Sequence, residues 1–240
     1  MTWSIVAHDP ASGAFAVAVT TCAFAVGASC PYVRAGVGAV STQSFTNRYL
    51  GPAILDAMGR GLGPADAIEG ALAGDRGRGI RQVHAVDRHG RAAAFTGANC
   101  VEWCGDAGPR QGFSVAGNML AGEAVVMETA AAFERLAELP LPERLMAALD
   151  AGEAVGGDRR GRQSAAMKLV TTEDFPDLDL RVDDHAAPLE ELRRLLAIWR
   201  EQRAPGLATA PRRADPSGLC DIDLIEAGWR ERGVVLRFRR

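Results

Sequence analysis

The stretch Ser4-Ile5-Val6-Ala7-His8-Asp9-Pro10-Ala11-Ser12-Gly13-Ala14-Phe15-Ala16-Val17-Ala18-Val19-Thr20-Thr21 carries two short apolar runs around a break at Asp9-Pro10-Ala11-Ser12-Gly13. Two such runs about a Pro and Gly turn predict a β-hairpin buried on both faces or nearly so. The chain therefore starts inside a sheet, which is unusual because termini normally fray at the surface.

Working outward, Gly36 to Gln43 reads as a further strand whose glycines permit close backbone approach. Tyr49 to Gly59 and Pro64 to Gly74 place Ile54, Leu55, Met58 and then Ala67, Ile68, Ala71, Leu72 at helical spacing, with Pro64 suited to a first turn. Arg81 to Asp87 and Arg91 to Thr96 form a strand pair about Arg88-His89-Gly90, and Gly112 to Gly117 continues the strand character. Glu123 to Glu138 and Leu141 to Ala151 return to helical periodicity, divided by Pro140 and Pro142. Gln163 to Thr171 is a strand, and Ala187 to Gln202 an amphipathic helix through Leu189, Leu192, Leu195, Leu196 and Trp199.

Strands in runs followed by helices in runs point to an α+β chain with two stacked sheets between helical layers, rather than a doubly wound parallel array. At 240 residues and near half apolar, one large domain is expected. We place it at 1–203. The Pro, Gly, Ala, Thr and Arg-rich stretch Ala204 to Gly218 reads as a linker or floppy extension, and Leu219 to Arg240 as one short helix and strand or as nothing ordered, so that 204–240 forms a C-terminal extension.

A net charge of −3 gives no electrostatic reason to expect nucleic acid or an anionic membrane as partner. No apolar run is long enough to span a bilayer, and the start lacks the order of a signal peptide, so the expected location is cytoplasmic. Five cysteines at irregular spacing do not form a disulfide framework. Cys100 and Cys104 lack a second Cys or His pair at supporting spacing, so no metal is expected, and nothing calls for a cofactor. The glycines of Gly74 to Gly79 lack the lysine of a phosphate loop. His8, His84, His89 and His185 cannot be assembled into a Ser-His-Asp order, and Asp183-Asp184-His185 reads as a helix cap.

Four stretches carry a resemblance: Thr2-Trp3-Ser4-Ile5-Val6-Ala7, Arg34-Ala35-Gly36-Val37-Gly38-Ala39-Val40, Gly117-Asn118-Met119-Leu120 and Gly156-Gly157-Asp158-Arg159-Arg160-Gly161-Arg162-Gln163-Ser164. Together, over about Met1 to Arg200, the chain resembles the bacterial and archaeal domain of unknown function family 1028. The resemblance implies a four-layer αββα sandwich of two mainly antiparallel sheets, the N-terminal-nucleophile (Ntn) hydrolase-like fold of proteasome subunits, glutamine amidotransferases and penicillin acylases.

Such enzymes use the side chain of their first residue as nucleophile and its own α-amine as base. Thr2, after removal of Met1, stands at that position. Its amine, with a pKa of about 7.7–8.0, would accept the hydroxyl proton near neutrality. The other reading of Thr2 is an ordinary second residue with good β propensity. Proteasome-like subunits carry a lysine 32 residues after the catalytic threonine, and 34 − 2 = 32 falls on Arg34, which could tune the amine or hold a substrate carboxylate, or be a surface arginine.

Thr42 and Gln43, at the end of their strand, join Arg34 as candidate substrate contacts. Asn118 is either an oxyanion donor or a helix cap. Asp158 and Ser164 are similar in placement to the Asp and Ser that orient the terminal amine in Ntn enzymes. Where proteasome-type sequences place an aspartate this chain has Ala18, which argues against proteolysis.

The resulting expectation is an amidohydrolase that cleaves a C–N bond of a small amide, carbamoyl or peptide-like compound and self-associates through exposed sheet edges. The alternative is a non-catalytic protein of the same fold that binds a small ligand or a partner. It would be envelope-related if it follows those relatives with a peptidoglycan-binding appendage, although Leu219 to Arg240 is too short to be that domain.

Overall fold

The computed structural model describes residues 2–234. Its strands in chain order are β1 (Thr2–Asp9), β2 (Ala14–Thr21), β3 (Pro31–Arg34), β4 (Gly38–Ser44), β5 (Arg81–Asp87), β6 (Ala92–Thr96), β7 (Cys104–Asp106), β8 (Phe113–Asn118), β9 (Ser164–Val170) and β10 (Leu178–Val182). The α-helices are α1 (Leu50–Gly59), α2 (Pro64–Leu72), α3 (Ala124–Arg135), α4 (Leu141–Ala154), α5 (Pro188–Gln202) and α6 (Ile222–Glu231).

The opening hairpin forms as its sequence dictates. The Asp9 carboxylate accepts the Ala11 amide at 3.0 Å and the Ser12 hydroxyl at 2.5 Å. Gly13 takes the left-handed φ of 73° that closes the turn. Asp9 then faces Ala14 and Trp3 faces Thr20. This hairpin is the centre of a six-stranded sheet, β10-β9-β2-β1-β8-β7, in which every pairing is antiparallel. The second sheet is the antiparallel meander β3-β4-β5-β6.

Alternation along the strands sends one face of each sheet to helices and the other to the opposite sheet. On the second sheet, Val40, Val83 and Ala85 pack with Leu50, Ile54 and Met58 of α1 and Ile68 and Leu72 of α2. On the first sheet, α3 lies against β8 and α4 against β1 and β2. Where the sheets face each other, β1 meets β4 and β5, and β5 meets β8. The chain is therefore a four-layer αββα sandwich of two stacked antiparallel sheets.

The interface between the sheets is divided along its length. One half is apolar, built from Val6, Phe15, Val17, Ala39, Val86 and Val170. The other holds fully buried polar side chains: Ser4, Ser41, Gln43, Gln82 and His84. Buried polar groups persist only where they satisfy one another, so that half must carry a dense hydrogen-bond network.

Helix α1 can approach its sheet because its second residue is glycine. A Cβ on Gly51 would lie 2.3 Å from Tyr32 Cδ2 and 2.4 Å from Tyr32 Cγ, at the inner end of a ring that cannot swing aside without leaving its rotamer. Gly51→Ala should therefore cost about 1–3 kcal/mol through overpacking despite the better helix propensity of alanine. The expected result is a melting midpoint lower by several degrees, with no change in secondary structure by circular dichroism.

The described chain divides into two compact units between Leu192 and Arg193. The boundary lies inside α5. In the second unit, Ala204–Thr209 forms a 3-10 helix instead of an unstructured linker. Helix α6 follows, its first turn capped by Asp221, whose side chain accepts from the amides of Asp223 and Leu224. The expected final strand falls largely on residues 235–240, outside those described. The strands β3, β7 and β10 were not expected.

Candidate active site

Thr2 opens β1, a central strand of the larger sheet. The register sets Thr2 opposite Asn118 on β8, Thr21 on β2 opposite Ser164 on β9, and Cys104 on β7 opposite Asn118. Because Trp3 faces Thr20, Thr21 comes beside Thr2, and the Thr2 hydroxyl lies 3.3 Å from the Thr21 hydroxyl. Directly opposed residues share a face. Ser4, two residues on and so on the same face as Thr2, bonds to Ser41, Gln43 and His84 of the second sheet. The Thr2 side chain therefore sits on the inner face between the two sheets, at their polar end, with 6% of its surface exposed.

Two amides hold the Thr2 carbonyl: Gln43 Nε2 and Asn118 Nδ2 each donate to it at 3.4 Å. Both also donate to Gln82 Oε1 at 2.9 Å, and Gln43 Nε2 reaches the Ala116 carbonyl at 3.0 Å. With its Nε2 donating to these oxygens, Gln43 presents Oε1 to the Ser4 hydroxyl at 2.7 Å and the Ser41 hydroxyl at 3.2 Å. Gln82 in turn donates to the Gly117 carbonyl at 2.7 Å and the Thr96 hydroxyl at 2.9 Å. The opening residue is thus fixed by its backbone through side chains of both sheets.

His84 Nε2 lies 2.7 Å from the Ser4 hydroxyl, a spacing that resembles a nucleophile and base. Burial drives the His84 pKa down to about 3, with the Ser114 backbone opposing only in part. The ring is neutral at physiological pH and cannot act as a base there. Its folded pKa lies below the ordinary 6.5, so between about 6.5 and about 3 the unfolded chain binds a proton that the folded chain refuses.

Stability from this group is complete above the unfolded pKa and is lost as pH falls through that window, by up to about 1.4 kcal/mol per pH unit. Urea unfolding at a series of pH values should show this slope in the wild type. The slope should be shallower in His84→Gln.

Several expected site residues are placed elsewhere. Arg34 ends β3 opposite Gly38, and its guanidinium pairs with Asp56 at 2.8 Å on the surface. Gly38 and Gln43 are 43 − 38 = 5 residues apart on β4, or about 17 Å, so Arg34 stands at the far end of the sheet from Thr2. The spacing of 32 residues misleads because β3 starts near the Thr2 edge, where the Cys30 carbonyl accepts the Thr42 amide, and then runs away from it.

Thr42 alternates to the helix-facing side and its hydroxyl bonds to the Asn47 carbonyl at 3.4 Å, away from the inner face that Gln43 shares with Thr2. Asn118 is beside Thr2, and its amide donates to the Thr2 carbonyl and to Gln82 Oε1.

Ser164 lies two strands from Thr2, about 10 Å across the sheet, and bonds to the Ala23 carbonyl and the Val26 amide. Asp158 accepts the Cys22 amide at 2.7 Å and pairs with Arg160 at 3.1 Å. Both residues secure loop 22–26, which follows β2 at the Thr2 edge. Burial pushes the Cys30 thiol up to about 11, which removes it as a thiolate nucleophile near neutrality. Among the described residues no three His, Cys, Asp or Glu side chains group as metal ligands.

Thr21, Ser4 and Gln82 also belong to this site without being marked by the sequence, and His84 belongs to it outside any Ser-His-Asp order. For Thr21 a signal existed in the hairpin register. For the others only the stacking of the sheets brings them together.

Fold and site define the class: a four-layer α+β sandwich whose central strand opens on a threonine held between the sheets. The chain belongs to the family of unknown function DUF1028, whose model matches residues 2–192. It is similar to protein SPO2555 from Silicibacter pomeroyi, a solved member of that family, at 31% identity and a TM-score of 0.84 over 92% of this chain and 96% of that one. A second solved structure, Anbu (ancestral beta-subunit) from Yersinia bercovieri, matches at 10% identity and a TM-score of 0.37 over 82% of this chain and 96% of that one. No curated protein matches the chain. No described helix is long and apolar enough to cross a membrane.

Proposed function

We propose that this chain is an N-terminal-nucleophile amidohydrolase in which Thr2, made N-terminal by removal of Met1, attacks the carbonyl carbon of a small amide. The observation that carries the reading is the placement of Thr2: first residue of a central strand, side chain on the inner face between two sheets, carbonyl fixed by Gln43 and Asn118. A nucleophile whose own amine is the base needs its backbone immobilised, since amine and hydroxyl must keep one mutual geometry.

In the proposed reaction the Thr2 hydroxyl oxygen bonds to the carbonyl carbon and its proton passes to the α-amine. The C–N bond breaks as the leaving amine takes that proton. Water then hydrolyses the threonyl ester, releasing the acid and restoring the hydroxyl. Thr21, in hydrogen-bond contact with the nucleophile, orients the hydroxyl, while Asp158 and Ser164 act through loop 22–26.

Loops leaving β2 and β4 at this edge carry Phe24, Phe45 and Tyr49, all exposed, which supports an amide with an apolar acyl part. The slight exposure of Thr2 favours the alternative of a binding protein without turnover.

Intact-mass measurement tests the premise. The expected chain is lighter by one methionine and gains one acyl group at its N-terminal peptide on treatment with a β-lactone. Retention of Met1 would overturn the mechanism, because the base would then be an amide nitrogen.

A further inference from the structure

At the other end of the sandwich lies a cleft of about 370 Å³ that the proposed chemistry does not use. It is lined by His8 from β1, Phe113 from β8, Arg88 and His89 from the turn between β5 and β6, and Phe133 and Arg144 from α3 and α4. Thr2 and His8 are 8 − 2 = 6 residues apart on β1, so the cleft is about 20 Å from the candidate active site.

Its floor is built by backbone that joins the two sheets. The Gly112 amide donates to the Gly90 carbonyl at 2.7 Å, and the His8 amide to the Gly112 carbonyl at 2.8 Å. Gln111 closes one side by donating to the His89 carbonyl at 2.8 Å. The His8 ring is stacked on Phe15 with centroids 4.5 Å apart. Such a cleft is preformed, and a ligand entering it orders little that is not already ordered.

The distinctive group is Arg144. Its guanidinium lies over the Phe133 ring, 3.7 Å from the centroid, and its Nε donates to the Phe133 carbonyl. That fixes the plane of the fork and uses its inner donor. Among the described residues the guanidinium has no ion pair, although half-buried charges are normally paired.

The carboxylates whose charge it feels are already engaged. Asp9 holds the turn after β1, and Glu134, whose side chain also lines the cleft, is neutralised by Arg110 at 2.6 Å. Arg88 adds a second guanidinium at the rim. Burial holds His8 below the ordinary imidazole pKa.

We propose that this cleft binds the oxyanion group, carboxylate or phosphate, of a small compound, with Arg144 as the anchor and Arg88 as a rim contact. The Nη1 and Nη2 donors along the outer edge of a fixed guanidinium match two oxygens of such a group.

The test is calorimetric titration of the full chain with benzoate and, separately, inorganic phosphate at low ionic strength. Saturable binding of either is expected, the benzoate arm marking a carboxylate ligand and the phosphate arm a phosphate ligand. Arg144→Met should weaken it about 10- to 100-fold, since a charge-assisted pair is lost. Arg88→Met, a change at an exposed position that leaves folding intact, should weaken it about 2- to 5-fold.

Arg34→Met and Thr2→Ala, at other places in the fold, should leave binding unchanged. Absence of saturable binding for both probes, or equal affinity in Arg144→Met and Arg88→Met, would overturn the proposal without touching the Thr2 chemistry.

Discussion

Thr2→Ala should lower kcat/KM for a cleaved amide by at least about 10³-fold, because no other hydroxyl takes over a nucleophile's bond-forming role. Alanine is as readily exposed by removal of Met1 as threonine, so the variant keeps the free α-amine and isolates the contribution of the hydroxyl. Its fold should persist. The Thr2 carbonyl stays held by Gln43 and Asn118, so the stability change should stay within about 1 kcal/mol.

Thr2→Ser keeps the oxygen and should retain activity within about 10-fold, the loss reflecting a side chain with freer χ1. Turnover by Thr2→Ala equal to wild type on the same amide would remove Thr2 from the chemistry. No turnover by either protein on a broad amide panel would favour the binding alternative.

The hairpin shows how much of this site the sequence contained. A turn that sets Asp9 against Ala14 makes paired residue numbers sum to 23, and that sum alone puts Thr21 beside Thr2. The helices α1 to α5 are legible because each buries one face and shows it in its spacing, and β5, β6, β8 and β9 as short runs rich in apolar residues between turn signals, β5, β8 and β9 being buried on both faces.

The short strands are harder to read: β7 is too short to show a period, and β10 shows one over only five residues beside a proline. Cys104–Asp106 is three residues of intermediate burial, and Leu178–Val182 alternates Leu, Leu and Val with charged residues just after Pro176. The polar network was invisible for a different reason. Ser, Gln and His read locally as surface residues, and their burial is settled only by partners 35 to 80 positions away. Arg34 fails in the opposite sense, since a linear spacing matched while the strand it follows points elsewhere.

That network makes Gln82 the position with the largest expected structural effect. Its side chain crosses from the second sheet to the first, donating to the Gly117 carbonyl at 2.7 Å and the Gly105 carbonyl at 3.2 Å, and to Thr96 on its own sheet at 2.9 Å. Its Oε1 receives both amides that hold Thr2, from Gln43 and Asn118 at 2.9 Å each.

Gln82→Leu preserves volume but deletes an acceptor used twice and donors shared among three oxygens. Gln43 keeps the Ala116 carbonyl and Asn118 keeps only the 3.4 Å contact to Thr2, so the loss is partial at one amide and nearly complete at the other. With about 1–3 kcal/mol for each buried group left unsatisfied, the variant should lose about 2–4 kcal/mol. The urea midpoint should fall with an unchanged m-value, since neither native nor unfolded surface is altered much. An unchanged midpoint would mean that the two sheets are held at this end by the backbone alone, and that the grip on Thr2 is dispensable to the fold.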